Sequence, residues 1–170
     1  MRLNPDEIIV THGCTEALNV ALRAVAQPGD TIAVESPSYY GLQQTLESLG
    51  LRALEIPTSP KTGLSVDALA FALQTHGIKA VVKVPEYQNP LRSVMPDADK
   101  GRLVALCEQH AVPLVEDDTY RVLGRGDAPL RALKSWDDSG NVIHCASLRK
   151  TIAPGLRLGW VSGSTCPRAA

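Results

Sequence analysis

Two hydrophobic periods alternate along this chain. Short, β-branched or continuously apolar runs occur at "EIIVTHG" (7–13), "TIAVESP" (31–37), "LRALEIPT" (51–58), "IKAVVKVP" (78–85), "VPLVEDD" (112–118), "NVIHCAS" (141–147) and "GLRLGWVSG" (155–163). They read as strands. Between them, "TEALNVALRAVAQPGD" (15–30), "YYGLQQTLESLG" (39–50), "SVDALAFALQTHG" (65–77) and "DADKGRLVALCEQHA" (97–111) carry apolar residues at helical spacing. Their ends carry helix signals: Ser65 is a candidate N-cap, acidic residues open the helix at 97, and Gly50 and Pro28-Gly29 close two others. Strands alternating with helices through short connections predict an α/β fold, a doubly wound, mainly parallel sheet flanked by helices. There is no internal repeat, linker or low-complexity stretch.

Composition narrows the class. The chain has 170 residues, enough for one domain with a substantial core. Hydrophobic residues make up 44% and charged residues 21%, as in ordinary globular proteins. A net charge of -1 with no basic block gives this segment no basis for binding nucleic acid. No apolar run is long enough to span a membrane, and no signal-peptide pattern is present. Cys14, Cys107, Cys145 and Cys166 are widely spaced, with no C-x-x-C motif and no Cys/His cluster. That spacing argues against a metal site and predicts reduced thiols in a cytoplasmic protein.

Ligands of open α/β sheets bind at the carboxyl ends of the strands. Five predicted strands end in chemistry-bearing loops: His12 to Thr15, Pro37 to Tyr40, Pro85 to Pro90, Asp117 to Tyr120, and Ser147 to Lys150. A hydroxyl, an aromatic ring, an amide, a carboxylate and an amine in five such loops point to one site.

These stretches carry a resemblance. "GCTEALNVALRAV", "VESPSYYG", "NPLRSVMP", "VEDDTY" and "SLRKTIAPGLRLGW" stand in the order found in fold-type I pyridoxal-phosphate aminotransferases of class I/II. The wording resembles most the branch shared by 2-aminoadipate aminotransferases and the aminotransferase-like domains of MocR-type regulators. The likeness covers nearly the whole chain, and its S-x-x-K followed by R-L-G is specific. It implies pyridoxal 5′-phosphate as cofactor, an amino acid and a 2-oxo acid as partners, and a homodimeric parent protein.

The resemblance also assigns roles. Lys150 is the lysine that holds the cofactor as a Schiff base and shuttles a proton. Without the motif, an exposed loop lysine would be the ordinary reading. Asp117 is the carboxylate at the ring nitrogen, with adjacent Asp118 expected to cap the turn that follows. Tyr120 and Asn89 serve the ring hydroxyl, and Asn89-Pro90 is a candidate cis bond. Tyr39 stacks on the ring, with Tyr40 competing for that role. The phosphate falls to Gly13, Cys14 and Thr15 at a helix start, with Cys14 expected to offer only its backbone N–H. Ser147 and Arg157 add a hydroxyl and a guanidinium.

Some positions depart from the family pattern. Arg149 stands where relatives have a small residue, Glu86 where they often have Asn, and Arg92 where they often have Gly. The stretch 121–130 is poorer in aromatics than in relatives. Relatives also carry a carboxyl-terminal small domain and an amino-terminal segment, so residues 1–170 are expected to be the cofactor-binding large domain, truncated at both ends. The isolated chain is then expected to bind cofactor weakly and to be inactive. The resemblance leaves three readings: an aminotransferase, an effector-sensing domain of a MocR-type regulator in the GntR family, and a non-catalytic remnant.

Overall fold

The computed structural model describes residues 5–124 and 129–163. Cys166 and residues 125–128 of the aromatic-poor stretch lie outside them. The elements run β1 (Ile8–Thr11), α1 (Cys14–Val25), β2 (Thr31–Ser36), α2 (Tyr40–Ser48), β3 (Arg52–Ser59), β4 (Gly63–Leu64), α3 (Val66–Thr75), β5 (Ile78–Lys83), α4 (Asp97–Gln109), β6 (Leu114–Asp117), β7 (Val142–Ser147) and β8 (Gly159–Ser162).

The strands form one sheet in the order β1-β8-β7-β6-β5-β2-β3-β4. Contacts β2–β3, β2–β5, β5–β6 and β6–β7 are parallel, and β8 runs antiparallel to both β7 and β1. The mainly parallel sheet is therefore present, with β8 reversed inside it. Neighbours in the sheet need not follow each other in the chain, so the helices cross over both faces.

Alternation along each strand divides the core in two. Ile32 and Val34 of β2, Ala80 and Val82 of β5, Val115, Cys145 and Val161 face α1 and α2 and pack on Leu18, Leu22, Leu42 and Leu46. Ala33, Val81, Leu114 and Val142 face α3 and α4 and pack on Leu69, Leu103, Val104 and Cys107. Strands buried on both faces explain why "IAV" and "AVV" are continuously apolar rather than alternating. Ser65 caps α3, its side chain accepting from the Ala68 N–H at 3.2 Å, and Asp97 and Asp99 lie in the first turn of α4.

Two local expectations change. The strand predicted from 155 begins only at Gly159, because Pro154–Leu156 form a 3-10 turn and Arg157 adopts a left-handed φ of 51°. The chain must reverse between β7 and β8, and the Leu148 N–H closes that loop on the Leu158 carbonyl at 3.0 Å. The two-residue strand β4 was also not foreseen; pairing Ser59↔Gly63 and Thr58↔Leu64 is too short to leave a periodic signal.

Candidate active site

The first part of the site is built at the start of α1. Gly13 is its N-cap residue at φ 89°, and no side chain caps the helix among the described residues. The first-turn N–H groups are thus left for an anion, at the positive end of a twelve-residue helix. The Thr11 hydroxyl donates to the Gly13 carbonyl at 3.1 Å and fixes the loop. Arg157 donates through Nη2 to the His12 carbonyl at 3.3 Å, and a β-carbon on Gly13 would lie 3.3 Å from the same Nη2. The guanidinium therefore lies against the bare glycine. Ser147, buried at the end of β7, pairs with Gly159 across the ladder. Thr15 is exposed.

The second part gathers at the ends of β5 and β6. Asp117 closes β6, in register with Cys145. Its Oδ1 accepts from the Thr119 N–H at 3.1 Å, the Thr119 hydroxyl at 2.5 Å and the Cys14 thiol at 3.3 Å. Among the described residues, Oδ2 takes no hydrogen bond. Burial holds the Asp117 carboxyl above the usual carboxylate range, against the pull of those donors. Tyr120 stands beside Asn89, and its phenol is pushed up first by burial and then by the Asp117 charge. Asn89 and Tyr120 line an open cleft of about 440 Å³ with Tyr87, Pro90 and Arg92. The Asn89-Pro90 peptide is cis, as is Ser36-Pro37.

Tyr39 and Asp117 share a narrow crevice with Leu18, Val82 and Gln88. Tyr40 is 69% exposed, whereas Tyr39 lines the crevice; their ring centroids are 4.6 Å apart. A β-carbon on Gly41 would lie 2.3 Å from Tyr39 Cε1, so the Tyr39 ring lies across that glycine. Lys150 sits exposed three residues past β7, its amine 6.0 Å from the Tyr120 ring centroid. Arg149, next to Lys150, is exposed.

The structure corrects two side-chain expectations. Asp118 does not cap the turn; Asp117 does, through Thr119. Asp118 is buried and paired with Arg121 Nε at 2.8 Å and His144 Nε2 at 2.8 Å. The Cys14 thiol is engaged as well, donating to Asp117. Of the departures, Arg92 adopts φ 59°, a conformation that glycine takes without steric cost. Glu86 is fully buried and ion-paired with Lys100.

Sequence reasoning missed a set of supports beneath these loops. Lys83 Nζ donates to Glu35 Oε1 at 2.6 Å and to the Val84 carbonyl at 2.7 Å, while Glu35 Oε2 accepts from the Val84 N–H at 3.0 Å. Gln88 ties the Asn89 loop to the Pro37 carbonyl at 2.7 Å. The available signal was charge placed directly after a buried apolar run: Glu35 after "IAV", Lys83 after "AVV", Glu116 after "LV".

The donor set fits a phosphorylated pyridine aldehyde. An amine, a carboxylate oxygen free of protein donors, a phenol–amide pair, an aromatic face and an uncapped helix start with a guanidinium surround one region. Among the described residues, no group of three or more His, Cys, Asp or Glu could hold a metal ion. No helix of the described residues is long and apolar enough to cross a membrane.

Comparison with known proteins agrees with this chemistry. The family model for aminotransferase class I and II matches residues 1–169. The chain is 47% identical over 157 residues to the HTH-type transcriptional regulator YjiR of Escherichia coli, covering 92% of this chain and 33% of that protein. It is 33% identical to aromatic-amino-acid aminotransferase 1 of Thermococcus litoralis, covering 92% of this chain and 38% of the relative. Among solved structures, the alpha-aminoadipate aminotransferase LysN of Thermus thermophilus, complexed with N-(5′-phosphopyridoxyl)-L-leucine, superposes with a TM-score of 0.90 at 29% identity. That match covers 95% of this chain and 42% of LysN. The chain thus spans about a third of the length of the curated relatives it matches. It belongs to the class I and II aminotransferase family, of the fold-type I architecture, whose cofactor is pyridoxal 5′-phosphate.

Proposed function

We propose that residues 1–170 are the cofactor-binding large domain of a pyridoxal-phosphate protein, with Lys150 as the attachment point. The intact protein, a cytoplasmic homodimer, moves an amino group between a 2-amino acid and a 2-oxo acid. The observation that carries this reading is convergence. The Cys14 thiol reaches Asp117, Asn89 and Tyr120 line one cleft, and the Lys150 amine stands 6.0 Å from the Tyr120 ring centroid, so residues of four separate loops are linked in pairs.

When bound, the cofactor supplies an aldehyde for amine exchange and a pyridinium ring that withdraws electrons. Lys150 holds the aldehyde and, as a free amine, moves a proton at the substrate α-carbon. Asp117 would accept the ring N–H; its burial, which raises the carboxyl pKa when no cation is near, also strengthens its attraction to a cationic ring once one is bound. Tyr120 and Asn89 hold the ring hydroxyl, and Tyr39 covers one face. The N–H groups of Gly13, Cys14 and Thr15, the Ser147 hydroxyl and Arg157 hold the phosphate.

A specific observation favours a second reading for the whole protein. Identity to two HTH-type regulators, 47% and 45%, exceeds the 33% to the aminotransferase. In that reading the same cradle senses an amino acid without sustained turnover. One experiment tests both on the intact gene product. Pyridoxal 5′-phosphate is titrated while its visible absorbance is followed, and then 2-oxo acid formation is measured with a panel of amino acids. A band lost in Lys150→Ala supports the cradle. Multiple turnovers support the enzyme; a spectral change with no turnover supports the regulator; no band contradicts both.

A further inference from the structure

Cys14 stands at two ends of the candidate site at once. It is the first residue of α1, so its backbone N–H belongs to the uncapped helix start. Its thiol reaches a residue 103 positions away, donating to Asp117 Oδ1 at 3.3 Å. Oδ1 is then fully engaged by three donors, Cys14 Sγ and the N–H and hydroxyl of Thr119. The two Thr119 donors come from the same tight turn as Asp117. The thiol is the donor that arrives from another element, and so it ties the carboxylate to the helix start.

We propose that Cys14 is a positioning residue for the ring nitrogen of the cofactor: its thiol commits Oδ1 of Asp117 to the protein and leaves Oδ2 to accept from the ring. This rests on the reading of Asp117 and Lys150 given above. Through this bond the phosphate cradle and the ring-nitrogen carboxylate form one unit, so the two ends of the cofactor are set at a fixed spacing. The thiol suits the role because it stays protonated. Burial is the main cause that holds it well above its ordinary range, and the neighbouring Asp117 charge adds to it. Cys14 therefore acts as a hydrogen-bond donor and not as a nucleophile.

The test uses Cys14→Ala and Cys14→Ser in the intact protein, with thermal unfolding measured to confirm that both variants fold. Two quantities are read: the affinity for pyridoxal 5′-phosphate, from titration of its visible absorbance, and the pKa of the Asp117 carboxyl in cofactor-free protein by NMR. Cys14→Ala raises the Asp117 pKa, because a donor to the charged form is lost, and weakens cofactor binding roughly five- to tenfold, the size of one ordinary hydrogen bond, since a thiol is a weak donor. Cys14→Ser, which keeps a donor, restores both values to near wild type. An alanine variant that titrates and binds as wild type would overturn the inference, and so would a serine variant as impaired as alanine. Wild-type protein with no Lys150-dependent band would overturn the parent reading and this inference with it.

Discussion

Gly159 of β8 crosses Gly13 so closely that a β-carbon on Gly159 would lie 2.5 Å from the Gly13 carbonyl carbon and 2.9 Å from the Cys14 nitrogen. The contact is backbone against backbone, so neither side can rotate away. The glycine in the R-L-G motif is therefore a spacing requirement: it lets β8 lie against the start of α1, where the phosphate is proposed to bind. Register places Thr11 opposite Gly159 on one side and Ser147 opposite it on the other.

Gly159→Ala is expected to cost about 1–3 kcal/mol of stability, the usual range for overpacking, and to weaken phosphate and cofactor binding. Gly155→Ala is the control, since a β-carbon there meets nothing within 4 Å. Urea unfolding of both variants checks this. Equal stability for the two would mean that β8 and the loop can separate freely.

The adjacent aspartates should fail in different ways. Asp118→Ala leaves His144 and part of Arg121 without their buried partner, which typically costs ~3–5 kcal/mol. Its main effect is on unfolding. Asp117→Ala removes the carboxylate from the proposed ring nitrogen, so amino transfer or cofactor-dependent sensing should fall about a hundredfold or more, equivalent to ~3 kcal/mol. Its effect on unfolding should be smaller. Parallel unfolding and activity measurements separate the two, and identical profiles would mean that both residues only hold the loop.

The fold's pH response should reflect Glu116. Burial pushes its carboxyl up from 4.5 to about 7, although the N–H groups of Leu133 and Lys134 donate to it. The folded state therefore holds a proton that the unfolded state has lost between these values. Stability from this group is fully present below pH 4.5 and is lost as pH rises to about 7, a difference on the order of 3 kcal/mol. Glu116→Gln removes the titration. Urea unfolding at pH 5 and pH 7 should show a smaller loss in the variant than in wild type; equal losses would remove Glu116 as the cause.

Much of this site was legible in the sequence because ligand-binding residues sit where apolar runs stop. Each strand end could be read locally, and the order of the five loops carried the family resemblance. What local reading missed was set by distant contacts. The Cys14 thiol bond to Asp117 depends on how α1 lies over β6. The Asp118–His144 pair depends on two parallel strands being neighbours. The motif alone favours Tyr39 over Tyr40; their different exposure comes from where the start of α2 lies on the sheet. The reversed β8 was hidden because its apolar pattern is the same in either direction.

The attachment of the cofactor to Lys150 is the claim on which the rest depends. Two of the alternatives are already engaged: Lys83 is fully buried against Glu35, and Lys134 is held by Asp137 at 2.7 Å and by the Val142 carbonyl at 2.9 Å. Lys150 is exposed beside Tyr120. The direct measurement is borohydride reduction of the intact protein with pyridoxal 5′-phosphate, followed by peptide mapping. The account predicts a single phosphopyridoxyl label on Lys150, absent in Lys150→Ala, with the fold retained. A label on Lys79, Lys83 or Lys134 with Lys150 unmodified would contradict it.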